Sequence, residues 1–117
     1  MSGPGRPYQH PTRPPRDVLV LERPRRGIKA YGYPTGTRTE FVVQAGSTIA
    51  KEIKPSLVAR IRAIRDELAD LGAIEDAGRV LVLTRDYVFR SSSSAAALVL
   101  GVSANGIHNW VPTDFPP

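Results

Sequence analysis

Leu57, Ile61, Ile64, Leu68 and Leu71 recur at spacings of four, three, four and three residues, which lines one face of an α-helix. A chain with this stripe must supply a second apolar surface to cover it. Ser56 stands ahead of the stripe as a candidate cap for free helix N–H groups, and Gly72 stands behind it as a left-handed terminator. Arg60, Arg62, Arg65, Asp66, Glu67 and Asp70 fall off the stripe. Three arginines on one helix are a candidate phosphate-binding face, but the three acids beside them favour a salt-bridged, solvated face.

The covering surface is predicted to be a sheet. Ile28, Ala30 and Gly32 alternate with Lys29, Tyr31 and Tyr33, and Phe41, Val43 and Ala45 alternate with Val42 and Gln44. The polar, turn-forming run Pro34 to Thr39 separates them, so an antiparallel hairpin over 28–45 is the simplest account, ended by Gly46-Ser47. Val18 to Leu21 is a short apolar run that fits either an edge strand or a segment laid across the core. Val80 to Leu83 reads as a buried strand after a turn at Asp76 to Gly78. Ala95 to Leu100 is apolar all round, as a short buried helix requires, with Ser91 to Ser94 as candidate caps and Gly101 as its stop. Asn105-Gly106 is a turn signal, and Ile107 to Val111 can return as a strand. The expected fold class is α+β: a small, mostly antiparallel sheet with one long amphipathic helix and one short buried helix.

At 117 residues there is room for one domain and one modest core. With no cysteine, disulfides, thiolate metal sites and cysteine nucleophiles are excluded. The longest apolar run, Ala95 to Leu100, falls far short of the roughly 20 residues that span a bilayer. Met1 to Arg16 lacks a signal-peptide core, so a cytoplasmic protein with no membrane association is expected. The formal charge is +5, and residues 1–26 hold six arginines against Asp17 and Glu22. Six of the eleven prolines also lie there. Residues 1–26 are therefore expected to be a basic, largely disordered tail, and 27–117 a single α+β domain.

Little catalytic chemistry is legible. His10 lies in the tail and His108 is the only other imidazole, so no metal cluster or histidine-based triad can be assembled from the sequence, and no cofactor is expected. Glu52-Ile53-Lys54 is the E-x-K arrangement of some metal-dependent nucleases, with Glu40 the upstream acid such a site would need. The more informative stretch is 83–110. Tyr87 and Phe89 project to the same side of an extended segment, and Arg90 follows with four serines at a helix start, a plausible phosphate contact. Asn105 can offer its amide to an adenine edge, and Trp110 or Tyr87 can stack on a base. The same residues also have structural readings: serines as caps, Asn-Gly as a hairpin turn, a lone Trp as core.

Leu83 to Phe89, Ser91, Ser93, Ala95 to Ala97, Gly101, Ser103 to Gly106 and Trp110 together resemble a bacterial domain family of unknown function, often found C-terminal to GIY-YIG nuclease domains. Ala30 to Gly32, Phe41 to Val43, Gly46-Ser47 and Ile64 to Leu68 with Gly72 extend the resemblance across residues 27–111. That family is similar to the restriction-enzyme and adenine-methylase associated domain, thought to read DNA and, in some members, methylated adenine. The resemblance implies a non-enzymatic nucleic-acid-binding module, with DNA favoured and function centred on Ser91, Ser93, Asn105, Gly106 and Trp110, to which the residue reading adds Tyr87 and Arg90. The alternative is a protein-interaction or accessory subunit acting with an enzyme supplied in trans.

Overall fold

The computed structural model describes residues 18–104 and 109–112, and the backbone of Gly5–Pro7. The strands are β1 (Gly5–Pro7), β2 (Leu19–Arg23), β3 (Ile28–Pro34), β4 (Phe41–Val43), β5 (Thr48–Ala50), β6 (Ile74–Asp76), β7 (Val80–Leu83), β8 (Tyr87–Phe89) and β9 (Val111–Pro112). The helices among the described residues are α1 (Ala59–Asp70) and α2 (Ser92–Leu100), with a 3-10 turn at Pro24–Arg26. The fold is α+β, built on one antiparallel sheet.

β3 is its axis. Along one edge it takes β2, from Leu19 opposite Gly32 to Arg23 opposite Ile28, and β9 pairs outside β2. On the other edge β5 meets its beginning, with Thr48 opposite Lys29, and β4 its end, with Phe41 opposite Pro34. β7 then pairs β5 and β8 pairs β4, while β6 and β1 form the outer edges. β4 and β5 are thus two halves of one row, as are β7 and β8 of the next.

The break between β4 and β5 is held by side chains. Ser47 is fully buried, and its Oγ accepts from the Tyr31 N–H at 2.9 Å. The Ala45 N–H donates to Asp86 Oδ1 at 2.7 Å, and Gly46 takes a left-handed φ of 92° that a side chain would resist. Buried backbone donors need acceptors. Ser47→Ala should therefore cost about 1–3 kcal/mol by orphaning the Tyr31 N–H, read from urea unfolding; a loss below a few tenths would show that the donor finds another acceptor.

Both helices lie on one face of the sheet. α2 rests on β3, β4, β5 and β8, and α1 packs against α2. Ala95, Ala96 and Ala97 let the α2 backbone come close to the strands, and every residue from Ser94 to Leu100 is buried. α1 buries Ile61, Ile64 and Leu68 against the shared core. On the far face of the sheet Tyr33, Val42 and Val88 form a small second cluster.

Several expectations are corrected. The 57–71 stripe is not all helix: α1 has twelve residues, Leu57 is buried ahead of it, and Leu71 is exposed after it. Ser56 is not the cap; Val58 holds that position without a side-chain bond. Pro55 explains the shift, because the turn it starts ends with Leu57 N–H bonded to Lys54 O at 3.0 Å and delays the helix. At the other end Gly72 does terminate α1, as expected. The Ala73 N–H bonds back to Leu68 O at 2.9 Å and the Gly72 N–H to Ala69 O at 3.1 Å, a Schellman closure.

The sheet also takes in residues assigned to the tail. β2 lies ahead of residue 27, and its Leu21 is fully buried. Pro24 occupies the first position of a 3-10 turn, where its missing N–H is harmless. β5 and β6 were not anticipated. Of the expected 107–111 strand, Ile107 and His108 lie outside the described residues, and Val111 pairs with Val20 in β9. No helix among the described residues is long and apolar enough to cross a membrane.

Candidate nucleic-acid interface

The β3–β4 loop closes on itself through Thr35 N–H to Glu40 O and Glu40 N–H to Thr37 O, both 3.1 Å. This pushes Arg38 into the left-handed region at φ 53°, the one non-glycine residue described there. For a side-chain-bearing residue that costs about 1 kcal/mol, and such outliers are retained where something else requires them. Thr39 Oγ1 donates to Arg90 O at 2.6 Å, fastening the loop to the start of α2.

At that start Ser91 is the cap. Its Oγ accepts from the Ser94 N–H at 3.1 Å, and Ser94 Oγ donates back to Ser91 O at 3.1 Å. Trp110 arrives from the far end of the chain and donates Nε1–H to Ser92 O at 3.0 Å. Its ring leans on Phe41, 4.7 Å between centroids.

These pieces enclose a cleft of about 500 Å³. Leu19, Pro34, Phe41 and Trp110 supply apolar wall, and Arg38, Thr39 and Ser91 to Ser93 supply the polar side. The first turn of a helix carries partial positive charge on its N–H groups. Next to Arg38, it makes one end of the cleft favourable for an anion and the other for a flat apolar group.

The expected site residues divide. Ser91, Ser93 and Trp110 come together at the cleft. Arg90 is exposed one residue before the cap. Asn105 and Gly106 lie outside the described residues. Tyr87 is corrected: it does sit beside Phe89, edge to face at 5.2 Å, but on the core side and fully buried, where no base can reach it. Trp110 lines the cleft but is only 5% exposed, which leaves too little ring surface for a base to stack on. Arg38, Thr39, Leu19 and Pro34 were missed as site residues; the sequence marks them only as turn and strand.

The nuclease arrangement is not assembled. Glu40 lies at the Pro34 end of β3, whereas Glu52 and Lys54 follow β5 beyond the Ile28 end, roughly 20 Å away along a seven-residue strand. Among the described residues no group of three His, Cys, Asp or Glu is placed to hold a metal ion. The helix arginines also differ from expectation. Arg62 and Arg65 donate to the carbonyls of Pro55 and Lys51 instead of bridging to the acids of α1.

Tyr87 has a consequence for stability. Its hydroxyl is buried without a hydrogen-bond partner. Burial, and next the nearby Glu67 carboxylate, push its ionisation above the usual 10.0, though Glu67 does not meet the hydroxyl in bonding geometry. A group raised in the fold contributes stability that is present below its unfolded value and lost as pH rises through it. Wild type should therefore lose more stability than Tyr87→Phe above pH about 10. At neutral pH the same substitution should be neutral or stabilising by up to about 1 kcal/mol. Paired urea melts at pH 7 and 10.5 check both; parallel loss at high pH would contradict the assignment.

The fold and cleft define an α+β domain with a polar–apolar pocket at the start of its buried helix. The family described as a domain of unknown function, DUF4357, matches residues 20–114, and the chain belongs to that family. No curated protein and no solved structure matches it.

Proposed function

We propose that this domain is a non-enzymatic nucleic-acid-binding module, with DNA the favoured ligand, acting in the cytoplasm and linked to nuclease or restriction–modification systems. The observation that carries this reading is the cleft, where apolar wall meets the first turn of α2 and Arg38. A phosphate would lie at the helix start, and a base edge would lie along Pro34, Leu19 and Phe41. A methyl group on adenine would add apolar contact on that wall, worth about 0.8 kcal/mol if fully buried. The resemblance to GIY-YIG-associated and adenine-methylase-associated domains supports the same ligand. The alternative is an accessory subunit that binds protein. Val58 and Leu71, exposed apolar residues flanking α1, are the surface that reading would use.

Arg38→Gly separates site from scaffold. Relief of the left-handed arginine should leave stability unchanged or raise it by up to about 1 kcal/mol. Loss of a phosphate-contacting cation should weaken oligonucleotide binding several-fold and lower its salt slope by about one. Thermal melting and fluorescence anisotropy of the full chain read the two effects; undiminished affinity would remove the cleft from the account.

A further inference from the structure

A second concave surface lies at the opposite end of β3, beside the C-terminus of α2. Arg25, Arg26, Lys51 and Arg79 line a cavity of about 530 Å³, and an adjoining one adds Lys54 and shares Arg26 and Glu52. The cations come from three separate segments that the sheet draws together: the 3-10 turn after β2, the loop after β5, and the β6–β7 turn.

Their charge is poorly compensated. Arg79 Nη2 donates to Arg25 O at 2.6 Å and Arg26 Nη2 to Leu100 O at 2.8 Å. These carbonyls orient the guanidinium groups without neutralising them. Lys51 pairs with Asp76 at 2.8 Å. Among the described residues no carboxylate pairs with Arg25, Arg26 or Arg79. Five cations against Glu52 and Asp76 leave three positive charges around one groove. Capping the negative end of α2 accounts for Arg26, but not for Arg25, Arg79 or Lys54. Guanidinium groups held in place with donors to spare are suited to phosphate.

We infer that this groove is a polyphosphate-binding site. Its natural ligand is the phosphodiester backbone of a strand whose base or end occupies the cleft; that identity rests on the nucleic-acid reading above, while the site itself does not. β3 separates the two surfaces by roughly 20 Å, so one strand can engage both.

The test uses isotope-labelled full chain and sodium tripolyphosphate as probe, at 50 mM salt. Saturable shifts are expected at the amides of Gly27, Lys51, Glu52, Gly78 and Arg79. Arg25→Gln/Arg79→Gln should weaken the titration at least fivefold, with an unchanged melting temperature confirming the fold; Arg25→Gln alone, which leaves the Arg79 anchor in place, should show a partial loss. Absence of these shifts, or shifts indifferent to the substitutions, overturns the site. A second arm measures oligonucleotide affinity against salt, where the double substitution should reduce the slope by about two. Oligonucleotide binding with an unaltered slope overturns the phosphodiester backbone as the groove's ligand and leaves the cleft reading intact. Tripolyphosphate binding at the groove without oligonucleotide binding keeps the site and removes the nucleic-acid reading.

Discussion

Gly101→Ala should cost about 3 kcal/mol or more, on the order of 15 °C in melting temperature. Gly101 ends α2 at φ 73°, a conformation that charges a side-chain-bearing residue about 1 kcal/mol. The larger part is steric. An added Cβ would lie 2.3 Å from Glu52 O and 3.1 Å from Ala50 Cβ. The obstacle is backbone, and the same segment bonds Lys54 N–H to Gly101 O at 2.8 Å, so it cannot retreat without breaking its own tie. Gly72 is the control: its φ is 68°, yet nothing lies within 4 Å of its added Cβ. Gly72→Ala should cost only about 1 kcal/mol. Equal losses in thermal melts of the two variants would mean that the close approach at Gly101 contributes nothing.

Trp110→Ala should be comparably damaging, losing about 3–5 kcal/mol. The indole is 5% exposed, packs on Phe41 and donates to Ser92 O. Truncation therefore removes core contacts and leaves the wall of the cleft without support. Trp110→Phe keeps the apolar body but loses the Ser92 hydrogen bond, and should cost about 1–2 kcal/mol. Because so little of the ring is exposed, oligonucleotide affinity of the folded Trp110→Phe protein should be nearly unchanged. A large affinity loss in that stable variant would restore Trp110 as a stacking residue. Urea unfolding and anisotropy on the same samples give both numbers.

The legible parts of this fold were those written in local chemistry. The Ser91 cap, the Gly101 and Gly72 stops, the buried Ala95 to Leu100 helix and the β3–β4 hairpin all depend on residues close in sequence. β5 and β6 escaped because three residues are too few to show a period; they are strands through pairing with distant partners, β5 with β3 and β7, and β6 with β7. A boundary at residue 27 falls too late because the arginines and prolines of 1–26 outweigh Val18 to Leu21, the apolar run that fits an edge strand and holds the buried Leu21. Counting charge by segment gave residues 27–117 ten cations against nine acids. That balance conceals the groove, where Lys51 and Arg79 meet two arginines counted with the tail. The serines and Trp110 were found at the cleft, but Arg38 was not, because a left-handed arginine looks like any other loop arginine in sequence. Tyr87 misled for the opposite reason: the spacing of Tyr87 and Phe89 shows that they share a face, not which face is buried.

Binding of nucleic acid by the folded domain is proposed to run through the cleft. Its most direct test is fluorescence anisotropy of the full chain and Arg38→Gly with labelled single strands and duplexes, unmodified and adenine-methylated, at 50 and 200 mM salt. Saturable binding that weakens steeply with salt, and that falls several-fold in Arg38→Gly, is the predicted result. No binding at 50 mM salt, or binding that Arg38→Gly leaves untouched, would contradict it.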